Sequence, residues 1–180
     1  MAKLRSASAY RRIKRAFTRT SKVRSKSYIK GAPGKRIIRY DMGNLRKKFP
    51  FEISLISKRK QQIRDNAIEA ARMASVRYLN LKVGMEHYHL KIKAVPHHIL
   101  RENPLATGAG ADRFQTGMSK SFGKAIGHAA QVNKGKKIIT VSLDEKNIQH
   151  AKEACRKAKS KLGLPCSIEV KEKATGKIIK

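Results

Sequence analysis

"SLDEKNIQHAKEACRKAKSKLGLPCSIEVKE", residues 142–172, holds the clearest helix in the chain with a strand directly behind it. Ser142 and Glu145 have capping-box spacing, and Asp144 is an alternative direct cap. Behind them Ile148, Ala151, Cys155, Ala158 and Leu162 recur at the helical period as one apolar stripe. Gly163 and Pro165 close the helix, since glycine accepts the left-handed turn and proline cannot continue the ladder. "CSIEVKE" then reads as a strand. A helix with one apolar stripe must bury it against another layer. The rest of the chain has to supply that layer.

Working back towards the N-terminus, "KKIITVSL" (136–143) and "KAIGHAAQV" (124–132) are strand candidates separated by a turn at residues 133–135. "FEISLIS" (51–57) alternates, with Phe51, Ile53 and Leu55 on one side. Residues 62–81 change to a helical period: Ile63, Ala67, Ala70, Ala71, Ala74, Tyr78 and Leu81 form a stripe, Arg64, Arg72 and Arg77 lie on other faces, and Gly84 stops the helix. "HYHLKIKAV" (87–95) sets Tyr88, Leu90 and Ile92 against His89, Lys91 and Lys93, which fixes its buried face only to within one residue. Pro96 ends that strand and "HHILR" leads into a loop. The expected fold is α+β: a mixed or antiparallel sheet with two amphipathic helices on one side, and no internal repeat.

Charge narrows the partners. Among 180 residues, 43 Lys or Arg stand against 12 Asp or Glu, a formal net charge of +31. Such a chain repels itself unless a polyanion neutralises it, and nucleic acid is the first candidate. An anionic membrane surface is the second, and no apolar run approaches the roughly 18 to 20 residues that a spanning helix needs. "MAKLRSASAYRRIKR" has a basic start but no apolar region behind it, so no secretory signal is expected and the cytosol is the expected compartment.

The charge is concentrated at one end. Residues 1–48 carry 17 Lys or Arg and one acid, Asp41, whereas residues 49–180 carry 26 and 11. The expected organisation is a basic N-terminal arm, 1–48, partly ordered on RNA, before a single RNA-binding domain, 49–180. Arg11, Arg12, Lys14, Arg15, Arg19, Lys22, Arg24, Lys26, Lys30, Lys35, Arg36 and Arg39 are the candidate phosphate contacts. Tyr10, Phe17, Tyr28 and Tyr40 are interleaved with them, as in segments that follow a backbone and stack on bases. The alternative is a solvated tail. "KGAPGKR" (30–36) reads as a turn, and "RIIRYDMGN" as a short strand ending at Gly43.

Catalytic patterns are weak. Cys155 and Cys166 lack CxxC spacing and read as small buried hydrophobes. Glu86, His87, His89, His97 and His98 cluster in sequence without a third ligand at defined spacing, so no metal is expected. Glu102 and Asp112 suit a nuclease metal only on paper. No nucleophile elbow places a serine. The reading is a protein that is not an enzyme, with no cofactor and no small-molecule substrate.

Between the strands lies "LRENPLATGAGADRFQTGMSKSFGK" (100–124), rich in glycine yet without a phosphate-loop pattern. Its "ATGAGADRFQTGM" (106–118) and "FGK" (122–124), with "YIKGAPGKRI" (28–37), "DMGN" (41–44), "EAAR" (69–72) and "VPHHILREN" (95–103), resemble the archaeal and eukaryotic large-subunit ribosomal protein L-ten-e, the relative of bacterial L-sixteen. The resemblance covers roughly residues 28–170, and the absence of a eukaryote-like C-terminal extension points to an archaeal source. It implies a structural constituent of the large subunit, lying between the central protuberance and the GTPase-associated region. Its implied partners are large-subunit rRNA, tRNA and neighbouring ribosomal proteins. It also implies an internal loop, 101–113, directed towards the A and P sites, carrying Arg101, Asn103, Thr107, Gly108, Ala109, Gly110, Ala111, Asp112 and Arg113. Gly108 and Gly110 would allow close approach to an RNA backbone. Arg101 and Arg113 would clamp phosphates at the two ends. A nucleoid or RNA-chaperone protein and, behind it, a metal-dependent nuclease are the rival readings.

Overall fold

The computed structural model describes residues 6–13, 15–103, 123–173, 176 and 178–179. Along these residues run β1 (Asp41–Gly43), β2 (Phe51–Ser57), β3 (Gln61–Arg64), α1 (Asp65–Lys82), β4 (Tyr88–Ile92), β5 (His98–Glu102), β6 (Lys124–Val132), β7 (Lys137–Leu143), α2 (Ile148–Leu162), β8 (Cys166–Glu172) and β9 (Ile178–Ile179). They form two sheets, where the sequence suggested one. The larger has the order β1-β4-β7-β2-β8-β9 and the smaller β3-β6-β5. Every strand pairing is antiparallel.

Register explains the larger sheet. Leu90, Val141, Ile53 and Val170 pair in one row across β4, β7, β2 and β8, and all four are buried. The next row, Lys91, Thr140, Ser54 and Glu169, faces the other way. Side chains alternate along a strand, so one face becomes the apolar floor and the opposite one is polar. On the polar face Lys137 reaches Glu52 at 2.5 Å and Lys91 reaches Asp41 at 3.3 Å. Tyr88, Leu90 and Ile92 are the buried face of β4, without any slip.

α2 follows expectation along its stripe: Ala151, Cys155, Ala158 and Leu162 are buried, together with Ala154, and Gly163 ends the helix in the left-handed conformation. Its entry differs. Ser142 is buried in β7, and Asp144 pairs with Lys47 at 2.8 Å, so a 3-10 turn over Glu145–Asn147 starts the helix without a side-chain cap.

α1 departs further. It starts at Asp65, because residues 61–64 form β3 and pair with β6. Its buried residues are Asp65, Ile68, Ala71, Ser75 and Leu79. The inner face is therefore turned by one residue from the stripe read in the sequence, and Leu81 is 76% exposed. Ile63, which opens that stripe, belongs to a strand and so misplaces its phase. Tyr78 lies at the interface between the helices, its ring 6.3 Å from His150 and 4.9 Å from the Lys157 ammonium on α2.

Four connections pass between the sheets: β2 to β3, β3 to β4 through α1, β4 to β5, and β6 to β7. The turn before β7 is fixed by Gly135 N–H donating to Ser57 and Ser57 N–H donating to Lys136, so β6 and β7 do not form the hairpin their spacing suggested. Residues 58–60 likewise carry the chain from β2 to β3. "HHILR", read as a lead into a loop, is largely β5 and pairs with β6.

The helix faces are directly testable by denaturant unfolding. Ala158→Asp buries a charge without a partner and is expected to cost about 3 kcal/mol or more, whereas Lys157→Asp should lose under ~1 kcal/mol from its contact with Tyr78. Leu79→Ala should cost about 2–5 kcal/mol and Leu81→Ala under ~0.5. Equal losses within either pair would show the wrong face buried.

Candidate nucleic-acid interface

The described residues of the N-terminal segment are tied to the domain. Ile29 and Ile37 are buried, so apolar side chains pin the segment at two points, and Phe49, where it enters β2, is buried too. Polar contacts add to them: Arg36 N–H donates to the Asp65 carboxylate at 3.3 Å, and the His128 ring Nε2 lies 2.6 Å from the Pro33 carbonyl oxygen. Further upstream the segment meets both edges of the three-stranded sheet. Gln62 N–H on β3 donates to the Arg11 carbonyl at 3.3 Å, and Ile99 N–H on β5 donates to the Phe17 carbonyl at 2.9 Å. Phe17 N–H donates in turn to His98 Nδ1 at 2.8 Å. Edge strands carry unpaired backbone groups that readily accept such an addition.

Against this fixed backbone the side chains divide by type. Arg11, Arg12, Arg15, Arg19, Lys22, Arg24, Lys26, Lys30, Lys35, Arg36 and Arg39 are all exposed, and among the described residues none of them is in an ion pair. Lys14 lies outside the described residues. Eleven cations are thus held at the surface along one tethered segment.

The interleaved aromatics are used differently from one another. The Arg64 guanidinium lies 5.5 Å from the Tyr10 ring centre, and that of Arg101 lies 4.3 Å from the Phe17 ring. Tyr40 is half-buried, its carbonyl accepting from Ile92 N–H at 2.8 Å. Burial, then the carboxylates of Asp65 and Glu69, raise its phenol above the ordinary value. Tyr28 alone among the four is largely open to solvent, at 63%, with Arg19 stacked 4.2 Å from its ring. It is the one suited to meet a base.

Of the loop residues, Arg101 is in β5 and tied to Phe17, and Asn103 is half-buried. Thr107, Gly108, Ala109, Gly110, Ala111, Asp112 and Arg113 lie outside the described residues. The histidine cluster does not converge. His89 pairs with Asp41 at 3.0 Å, His98 binds Phe17, and His87 and His97 are exposed. Among the described residues no group of three or more His, Cys, Asp or Glu is placed to hold a metal. Burial pushes the Cys155 thiol up to about 12 and, against the pull of Lys159, the Cys166 thiol to about 11, so both are protonated hydrophobes at neutral pH. No helix among the described residues is long and apolar enough to cross a membrane.

The Phe17–His98 contact joins positions 81 apart in sequence, and no local pattern announces it. It also titrates. Burial, and then the Arg101 guanidinium, hold His98 below its ordinary value. A depressed folded value gives stability that is full above the unfolded value and is lost as pH falls through the folded one. Acidification from about pH 7.5 to about 5 should therefore lower the hydrogen-exchange protection factor of the Ile99 amide. His98→Asn, which keeps an uncharged acceptor, should remove that pH dependence. A wild-type factor constant with pH would show that His98 does not hold the segment.

Residues 14–169 match the ribosomal protein L16p/L10e family. The large ribosomal subunit protein uL16 of Archaeoglobus fulgidus is 44% identical over 163 residues, covering 91% of this chain and 90% of that protein. Its counterpart in Methanococcus aeolicus is 45% identical over 168 residues, covering 93% and 94%. That in Methanospirillum hungatei is 44% identical over 167 residues, covering 92% and 95%. A match spanning most of the chain, with relatives of nearly the same extent and the motif segments of the glycine-rich region inside it, makes this chain a member of the ribosomal protein L16p/L10e family.

Proposed function

We propose that this chain is a structural constituent of the large ribosomal subunit that binds rRNA through the exposed cations of residues 11–39 and supports tRNA near the A and P sites through residues 101–113. The observation that carries the rRNA part is the set of eleven exposed arm cations on a backbone tied to both edges of the three-stranded sheet. A tethered cationic stripe neutralises a phosphate backbone without first losing the conformational entropy of a free tail. The chain works by charge and shape, without chemistry of its own. Its place in the large subunit follows from the relatives named above, each a large ribosomal subunit protein.

Deleting residues 1–27 tests the rRNA role. Affinity for large-subunit rRNA should fall, and its salt dependence should flatten by about 0.7 to 0.9 in slope for each phosphate that the shortened chain no longer neutralises. An unchanged slope would reduce the arm to a solvated tail.

The tRNA role requires a different measurement. Shortening the chain between Pro104 and Gly110 should leave folding and subunit assembly nearly intact, because loop length has a small effect on stability. Reconstituted subunits should then translate slowly and hold tRNA less well, with Arg113→Ala reproducing part of the defect. Normal translation by such subunits would leave the protein as an rRNA scaffold only.

A further inference from the structure

Arg11, Arg59, Arg156 and Lys159 line one open recess beside Leu164 and Pro165. They come from three separate stretches of chain: the N-terminal segment, the β2–β3 connection and the end of α2. The backbone around the recess is held on every side. Gln62 N–H donates to the Arg11 carbonyl at 3.3 Å, Lys58 N–H to Pro165 at 2.9 Å, and the Gln61 side-chain amide to Gly163 at 3.3 Å. The four cations are thus set around a common mouth by the fold itself.

Two features oppose an anion there, and neither is sufficient. Arg156 pairs with Glu153 at 2.9 Å, yet Arg156 is 67% exposed, and a surface pair of that kind contributes under ~1 kcal/mol and leaves other guanidinium donors open. The C-terminus of α2 brings roughly half a negative charge, against which the Gly163 carbonyl is already occupied by Gln61. Four positive charges against one carboxylate and a partial dipole leave a marked excess. Like charges brought together from three stretches of chain favour an anion that they can share.

We infer that this recess is a phosphate seat for an RNA backbone, gripped by Arg59 and Lys159 together with Arg11, so that one strand of RNA ties the N-terminal segment to the end of α2. The inference rests on the rRNA-binding reading above and extends it from Arg11 of the arm to two cations of the domain, Arg59 and Lys159.

Filter binding of the full chain to transcribed large-subunit rRNA, across a range of KCl concentrations, tests it. Arg59→Ala and Lys159→Ala should each weaken binding about tenfold and lower the salt slope by about 0.7 to 0.9. Because both would grip the same phosphate, the double variant should lose little more than either alone. Lys146→Ala, an exposed cation in the 3-10 turn that precedes α2, should change affinity less than about twofold. Thermal unfolding of the variants should match the wild type, since all three side chains are exposed. Small, additive losses no larger than that of Lys146→Ala would overturn the seat while leaving rRNA binding standing. A wild-type chain that fails to bind rRNA would overturn both. Phosphorus NMR with inorganic phosphate separates the remaining source: saturable binding abolished by Arg59→Ala, with rRNA affinity unchanged, would make the recess a small-anion site and refute the RNA assignment.

Discussion

The close approach of α1 and α2 is the contact on which the rest of the molecule depends. Ala71 and Ser75 on α1, with Ala151, Ala154 and Ala158 on α2, are small and almost wholly buried. Small side chains let helix axes approach and let the larger residues beside them interdigitate. α2 covers β2, β7 and β8 of the larger sheet, while α1 reaches β3 and β6 of the smaller one and β4 of the larger. The helix pair is thus the joint that makes one core out of two sheets. A bulky or charged residue at Ala158 would force the joint open.

From that joint the surface chemistry follows. The three-stranded sheet offers two edges, and the N-terminal segment ties to each of them by a backbone hydrogen bond. Meanwhile five of the twelve acids are in ion pairs among the described residues. Asp144 meets Lys47, Glu69 meets Arg72, Asp41 meets His89 and Lys91, Glu52 meets Lys137, and Glu153 meets Arg156. Among the described residues the cations between Arg11 and Arg39 are in no ion pair, and neither are Arg59 and Lys159 of the recess.

Much of this was legible in the sequence where local period and tertiary environment agree. β2, β6 and β8 coincide with the stretches read as strands, and the α2 stripe is buried as its spacing requires. The reading failed where partners distant in sequence decide the outcome. The helix expected from the sequence takes in residues 62–64, yet pairing with β6 holds them as a strand and rotates the inner face of α1. The turn at residues 133–135 looks like a hairpin turn, but its hydrogen bonds to Ser57 send β6 and β7 into different sheets. The arm cations were found by charge alone. The ties that fix them, Phe17 to His98 and Arg11 to Gln62, carry no local signature, and Tyr10 and Phe17 proved to be engaged by arginines of the domain.

A map of the large subunit containing this chain, at a resolution that places phosphates, tests the central claim most directly. If the tethered cations are the rRNA interface, phosphate oxygens should lie within about 4 Å of most of the eleven exposed Arg and Lys side chains between Arg11 and Arg39, with the Phe17–Ile99 and Arg11–Gln62 backbone contacts still in place. A map in which that segment has left the sheet edges, or in which those side chains point into solvent while rRNA meets another face, would contradict it.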